Sequence, residues 1–246
     1  MPAVDIPERC RGDEGKSSAL PAEKTLLGLV ELFLKSPQEV DALLRKPDQG
    51  AELIPKLLAI LLTGFSVHGV VLSLLFQAHA APLPWVPPVR WTDGSFLFLI
   101  LAYDLGMVAA CGICLPSFYF YGLLSGIETS MVQVALISLK GLAATSVLLV
   151  GILPVYFALS LGTTVFHAPL YWQEQALYLG LVLPFVAGLW GVRSVYRVFV
   201  GLADTLPSAN RASRECFLRR LIAAWSACYT AVTPVMIYTL WHHFAG

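Results

Sequence analysis

The chain has 246 residues and no formal net charge, and 57% of its residues are hydrophobic while only 13% are charged. Because a soluble domain carries about 25% charged residues, this composition excludes an ordinary water-soluble protein. The balanced charge also argues against a nucleic-acid partner, which a basic surface would attract.

The residues before the first long apolar stretch divide into a tail and a helical segment. Residues 1–23 mix both charge signs with Pro, Gly and Ser and lack periodicity, so we predict a disordered tail without a cleaved signal peptide. Residues 24–56 are predicted to form cytoplasmic or interfacial helices. Thr25–Lys35 has one apolar face and a Glu31–Lys35 pair on its wetter side. This amphipathic helix lies on the inner leaflet or packs on its neighbour in the cytosol.

A second short helix follows the amphipathic one. Ser36 and Pro37 suit the N-cap and the first helical position, and Glu39 completes a capping box. We expect this helix to end near Lys46, before Pro47.

Five apolar stretches are then long enough to cross about 30 Å of hydrocarbon, which takes about 20 helical residues. These predicted spans are Leu57–Phe76, Ser95–Leu115, Gly141–Leu161, Ala176–Val192 and Leu221–Trp241. The sequence therefore predicts an all-α fold. The chain is predicted to be a polytopic integral membrane protein whose residues 57–246 form a bundle of five transmembrane helices. Four of the helices, or their ends, are expected to be interrupted by prolines: Pro116, Pro154, Pro184 and Pro234.

Lysine and arginine are distributed unevenly about these spans. Residues 1–56 carry eight, Arg193–Arg220 carries six and Lys140 is the fifteenth, whereas the loops on the other side hold only Arg90. Because positively charged loops stay inside, we predict a cytoplasmic N-terminus and an outer C-terminus. The expected location is the cell membrane, or the inner membrane of a bacterium, with the lipid bilayer as a partner.

The turn between the second and third spans, Pro116–Lys140, opens with four aromatic residues and closes on a lysine. Aromatic rings and a snorkelling lysine mark a membrane boundary. We therefore expect helical extensions at the inner boundary and interpret Lys140 as the inner anchor of the third span.

Asp104 is the one carboxylate inside a predicted span, and His68 is the most polar member of the first span. Such an acid is either buried and hydrogen-bonded or part of a proton or cation site. Lys140 lies about 12 Å from Asp104 along the bundle axis, so we do not expect these two to pair. His68 is interpreted as a satisfied interior histidine.

Cys111 and Cys114 form a CxxC pattern on one helix face. Thioredoxin-like chemistry needs a βαβ context, and a zinc site needs two further ligands at this depth. We interpret them as helix-packing thiols beside Ala109, Ala110 and Gly112. With no catalytic, cofactor or metal-binding signature in the sequence, we do not expect an enzyme.

The layout over Thr25–Phe244 resembles the Yip (Ypt/Rab-interacting protein) family, and Leu32–Gly50 (LFLKSPQEVDALLRKPDQG) is similar to the lead-in of its prokaryotic members. The DLYGP-like element of eukaryotic members is absent, which favours a prokaryotic-type relative over a Rab binder. The resemblance implies a non-enzymatic scaffold or partner-binding subunit in membrane organisation or trafficking, with a membrane or cytosolic protein as partner. The alternative is a small transporter or channel that uses Asp104.

Overall fold

A computed structural model describes residues 25–44, 50–78, 89–124, 130–203 and 211–245 of the chain. Helices account for 93% of these residues, and no strand occurs among them. The elements in chain order are α1 (Leu26–Lys35), α2 (Pro37–Leu44), α3 (Gly50–Ala78), α4 (Ser95–Leu124), α5 (Met131–Val165), α6 (Leu170–Ala203) and α7 (Arg211–Ala245).

The five helices α3 to α7 are each long and apolar enough to cross a membrane. Each contains one of the predicted spans, so the number and order of the long helices are confirmed. The helices are longer than the apolar stretches because their polar ends remain helical. The predictions for residues 1–23 and for the proline-rich part of the first outer loop lie outside the described residues.

The turn between the second and third spans consists largely of helical extensions, as predicted. The helix α4 continues through Pro116 to Leu124, and α5 begins at Met131. The side chain of Ser130 caps α5 by accepting a hydrogen bond of 3.2 Å from the Gln133 amide. The four prolines of the predicted spans lie inside α4 to α7, which each continue past them, and α3 also contains Pro55. A proline removes one backbone hydrogen bond from its helix. Polar groups of neighbouring helices can satisfy the carbonyl that this leaves free.

The long helices alternate in direction around a shared core. We call the end where α3, α5 and α7 begin the α1–α2 end of the bundle. Side chains there from the last turns of α4 and α6 pack against side chains from the first halves of α5 and α7, and the Phe118 ring contacts those of Phe199 and Trp225. A second apolar cluster joins α1 and α2 to the first halves of α3 and α5.

Glycines set the closest approaches between the long helices. A Cβ at Gly64 on α3 would lie 2.6 Å from the Ser146 Cβ on α5, and one at Gly106 on α4 would lie 2.6 Å from Ile237 on α7. Small residues at contacts are how apolar helices pack when no water drives them together.

The short helix α1 confirms the predicted start and pairing. Thr25 caps it by accepting from the Gly28 amide, and Lys35 Nζ lies 2.5 Å from Glu31 Oε1. The Lys35 hydrogen bond lowers the pKa of the Glu31 carboxyl below its ordinary value. Only part of the predicted apolar face is covered: Leu29 is buried, whereas Leu34 is exposed.

Candidate functional site

Lys140 is a buried cation, in contrast to the snorkelling anchor expected from the sequence. Its side chain is only 1% exposed, and its ammonium group forms an ion pair with Asp41 of α2, 99 residues earlier in the chain. Arg197 of α6 lies close enough to act on the same ammonium group electrostatically. Because an unpaired buried charge is costly, Asp41 attaches the short N-terminal helices to α5.

Asp104 is held by a serine of the neighbouring helix. Ser66 Oγ of α3 donates a 2.5 Å hydrogen bond to Asp104 Oδ2, and the residue is 8% exposed. The second carboxyl oxygen, Oδ1, is buried and has no partner among the described residues. The described side chains contain no ion pair between Asp104 and Lys140, as expected from their axial offset.

His68 is completely buried against aromatic and backbone groups. Its ring meets Tyr103 edge-on, with the ring centroids 5.5 Å apart, and it interacts with the backbone of Gly180. Neither ring nitrogen forms a hydrogen bond of ordinary geometry with a described residue. Pro184 has no N–H, so the Gly180 carbonyl, four residues earlier, lacks its helical donor. The proline thus leaves a polar backbone group on α6 where the imidazole lies.

A tyrosine of a third helix, Tyr156 of α5, also packs against Gly180. Tyr156 Oη of α5 donates to the Ala176 carbonyl at 3.0 Å, and a Cβ placed at Gly180 would overlap the Tyr156 hydroxyl. The helices α3, α5 and α6 therefore pack so closely at Gly180 that no side chain larger than its hydrogen atom fits there. No described contact joins His68, Asp104 and Lys140, so these three predicted residues do not form one site.

Cys111 and Cys114 are buried between α4 and α7, and both are free. The Cys114 thiol lies within hydrogen-bonding reach of the Cys228 thiol on α7. No group of three potential metal ligands occurs among the described residues. The expectation that Gly112 takes part in this packing was wrong, because a Cβ there would meet nothing within 4 Å. It is Gly106, less than two turns earlier, that allows α7 to approach.

The described residues line three cavities at the surface of the helix bundle. One, of about 450 Å³, lies between α5, α6 and α7, and one of about 570 Å³ lies between α1, α3 and α5. The third is a shallow groove along α3 that Ser66 helps to line. Asp104 lines none of these three cavities, and the walls of the first two are mostly apolar.

Sequence reasoning missed Asp41 and Ser66, the partners of the two charged residues it did identify. Helical periodicity assigns residues to faces but does not pair residues 99 or 38 positions apart. A charge inside a predicted span is still a usable signal that a partner exists. Comparison of the chain with protein-family models, with curated proteins and with solved structures finds no match.

Proposed function

We propose that the protein is a five-span integral membrane protein that acts as a non-enzymatic, partner-binding scaffold of the Yip type. In this proposal the α1–α2 end faces the cytoplasm, and the C-terminus lies outside. The uneven placement of lysine and arginine supports this orientation. The cytoplasmic surface would carry the partner-binding role, because both polar segments, 24–56 and 193–220, lie on that side.

The outward surface of the long helices supports insertion into a bilayer. Large apolar side chains project outward from the second halves of these helices, for example Val155 at 62%, Leu159 at 66% and Val235 at 61% exposure. In water such a surface would form an extended apolar patch. In hydrocarbon it is the favourable surface, while the helices satisfy their own backbone groups.

The surroundings of Asp104 are the observation that carries the choice of a scaffold over a transporter. A transporter that uses this carboxyl group needs an aqueous cavity that reaches it. Asp104 is instead nearly covered, bonded to Ser66 and absent from the walls of the three described cavities, and the two cavities that lie between helices are apolar grooves. Apolar grooves are suited to other helices or lipid.

The membrane part of the proposal is tested with topology reporters. A reporter fused after Gly246 should be active on the outside, and one inserted at Ser208 should be active only on the inside. An outward reporter at Ser208 would contradict the five-span orientation.

The choice against a transporter is tested in reconstituted vesicles. Wild-type protein should show no pH-dependent ion flux, and Asp104→Asn, which keeps the side-chain shape and can still accept from Ser66, should behave as wild type. A flux through the wild-type protein that disappears in Asp104→Asn would establish the transporter instead.

A further inference from the structure

The cavity between α5, α6 and α7 offers an apolar interior. Leu142, Phe185 and Val192 line it together with several small residues. Its four serine and threonine hydroxyls all donate within their own helices: Ser138 to Val134, Thr145 to Gly141, Ser226 to Ala223 and Thr230 to Ser226. The indole N–H of Trp225 is buried and has no hydrogen-bond partner among the described residues. Apart from this single donor the walls are mostly apolar, which suits a hydrocarbon chain.

The cavity opens sideways between α6 and α7. Leu189 at its edge is 71% exposed, and Ala227 and Ala231 of α7 are also exposed. Measured from the predicted start of the fifth span at Leu221, the α7 wall from Trp225 to Ala231 lies about 6–15 Å inside the hydrocarbon. This depth matches the acyl chains of the inner leaflet of a layer about 30 Å thick.

Four exposed arginines form an arginine rim at the end of this cavity nearest α1 and α2: Arg193, Arg197, Arg219 and Arg220. Arg219 Nε donates a 2.8 Å hydrogen bond to Tyr196 Oη, which connects α7 to α6. Tyr196 directly follows Val195, the last α6 residue that lines the cavity, so this bridge marks the end of the cavity nearest the arginine rim. Segment 193–220 carries six arginines against Asp204 and Glu215, a net charge of +4 (6 − 2).

We propose that this cavity binds one acyl chain of an anionic phospholipid of the inner leaflet, with the lipid phosphate at the arginine rim. The inference rests on the orientation given under the proposed function. Guanidinium groups bind phosphate in a bidentate manner, and basic residues on the cytoplasmic side of membrane helices attract anionic lipid. A zwitterionic lipid gains no net attraction from the rim, and a second copy of the chain would bring the same positive charges to it.

The test uses the full chain in nanodiscs of phosphatidylcholine that contain a minor fraction of phosphatidylglycerol. A photoactivatable acyl chain is carried by one lipid or the other, and labelled peptides are located by mass spectrometry. The phosphatidylglycerol probe should label the helix segments around Gly188 and Trp225 in preference to the phosphatidylcholine probe. Arg219→Gln should reduce that preference about fivefold, whereas Arg90→Gln, at the opposite end of the bundle, should not change it.

A second pair of variants tests the cavity itself. A Cβ at Gly188 or at Gly151 meets nothing within 4 Å, so a side chain can begin at either position without a backbone clash. Gly188→Leu fills this cavity and should abolish its labelling, while Gly151→Leu in the α1–α3–α5 groove should leave it intact. Equal labelling by the two lipids in the wild type, or crosslinks to a second copy in place of lipid, would overturn the inference. Because the topology reporters are read independently, a correct topology without lipid preference would refute this inference alone.

Discussion

At the scale of single residues, Gly180 lies where three helices meet and leaves no room for a larger side chain. The Tyr156 hydroxyl, Leu72 and the His68 imidazole all lie against it, from two other helices. The carbonyl that Pro184 leaves without a helical donor belongs to this same glycine. A proline and a glycine on α6, a histidine on α3 and a tyrosine on α5 thus form one packing unit.

We predict that Gly180→Ala destabilises the protein by about 1–3 kcal/mol, because the added methyl group overlaps the Tyr156 hydroxyl. Thermal unfolding in detergent micelles measures the change. Gly188→Ala on the same helix is the matched control, since its Cβ meets nothing, and it should be neutral or slightly stabilising. Tyr156→Phe, which removes the overlapping oxygen, should recover part of the loss. An unaltered Tm in Gly180→Ala would contradict this packing.

At the scale of the helices, their identities follow from the sequence but their partners do not. The hydrophobic length of each span predicted α3 to α7, and the Ser36-Pro37 pair predicted where α2 begins. Lys140 was assigned to the right helix and to the wrong surroundings. Its depth alone suggests a lysine that reaches the headgroups, whereas the helix that covers it is specified by the packing of Leu29, Val40 and Leu44 around α3 and α5.

The Asp41–Lys140 ion pair is predicted to control the docking of α2 on α5. Lys140→Met leaves Asp41 without its partner and should weaken docking by on the order of 3 kcal/mol. Spin labels at Gln38 and Met131, both on exposed positions, should then show a broader distance distribution than in the wild type. The double variant Asp41→Leu/Lys140→Met should restore a narrow distribution.

The exposed Glu31–Lys35 pair supplies the control for this experiment. Lys35→Met removes a cation whose side chain is 74% exposed, and exposed pairs contribute little to stability. The Gln38–Met131 distances should therefore remain as in the wild type. Equal broadening in Lys35→Met and Lys140→Met would show that the buried pair has no special role.

At the scale of the whole molecule, the surface divides into an apolar band and a charged end. We predict that a spin label at Val155, which is 62% exposed within the predicted third span on α5, is accessible to oxygen and protected from a water-soluble quencher. A label at Met131, nine residues before Lys140 on the same helix, should be accessible to the water-soluble quencher and less accessible to oxygen. Quenching of both labels from the aqueous phase would be incompatible with a bilayer around α5.

The number of long helices could be predicted from the sequence because it depends on local hydrophobic length. The arrangement of the candidate sites could not, because it depends on contacts between distant segments. Asp104 was correctly separated from Lys140 by a count of helical rise, a local quantity, but its bond to Ser66 required the packing of α3 on α4. The cavity between α5, α6 and α7 likewise arises from three helices that periodicity does not orient relative to one another.

The ion pair between Asp41 and Lys140 also constrains the order of assembly during synthesis. The two residues are 99 positions apart, and at 5–20 residues per second the ribosome needs roughly 5–20 s to travel from one codon to the other. During that interval α1 and α2 are complete while their binding surface on α5 does not yet exist. We expect the exposed leucines of α1 to hold the nascent chain at the bilayer surface during this interval, before α2 can dock on α5.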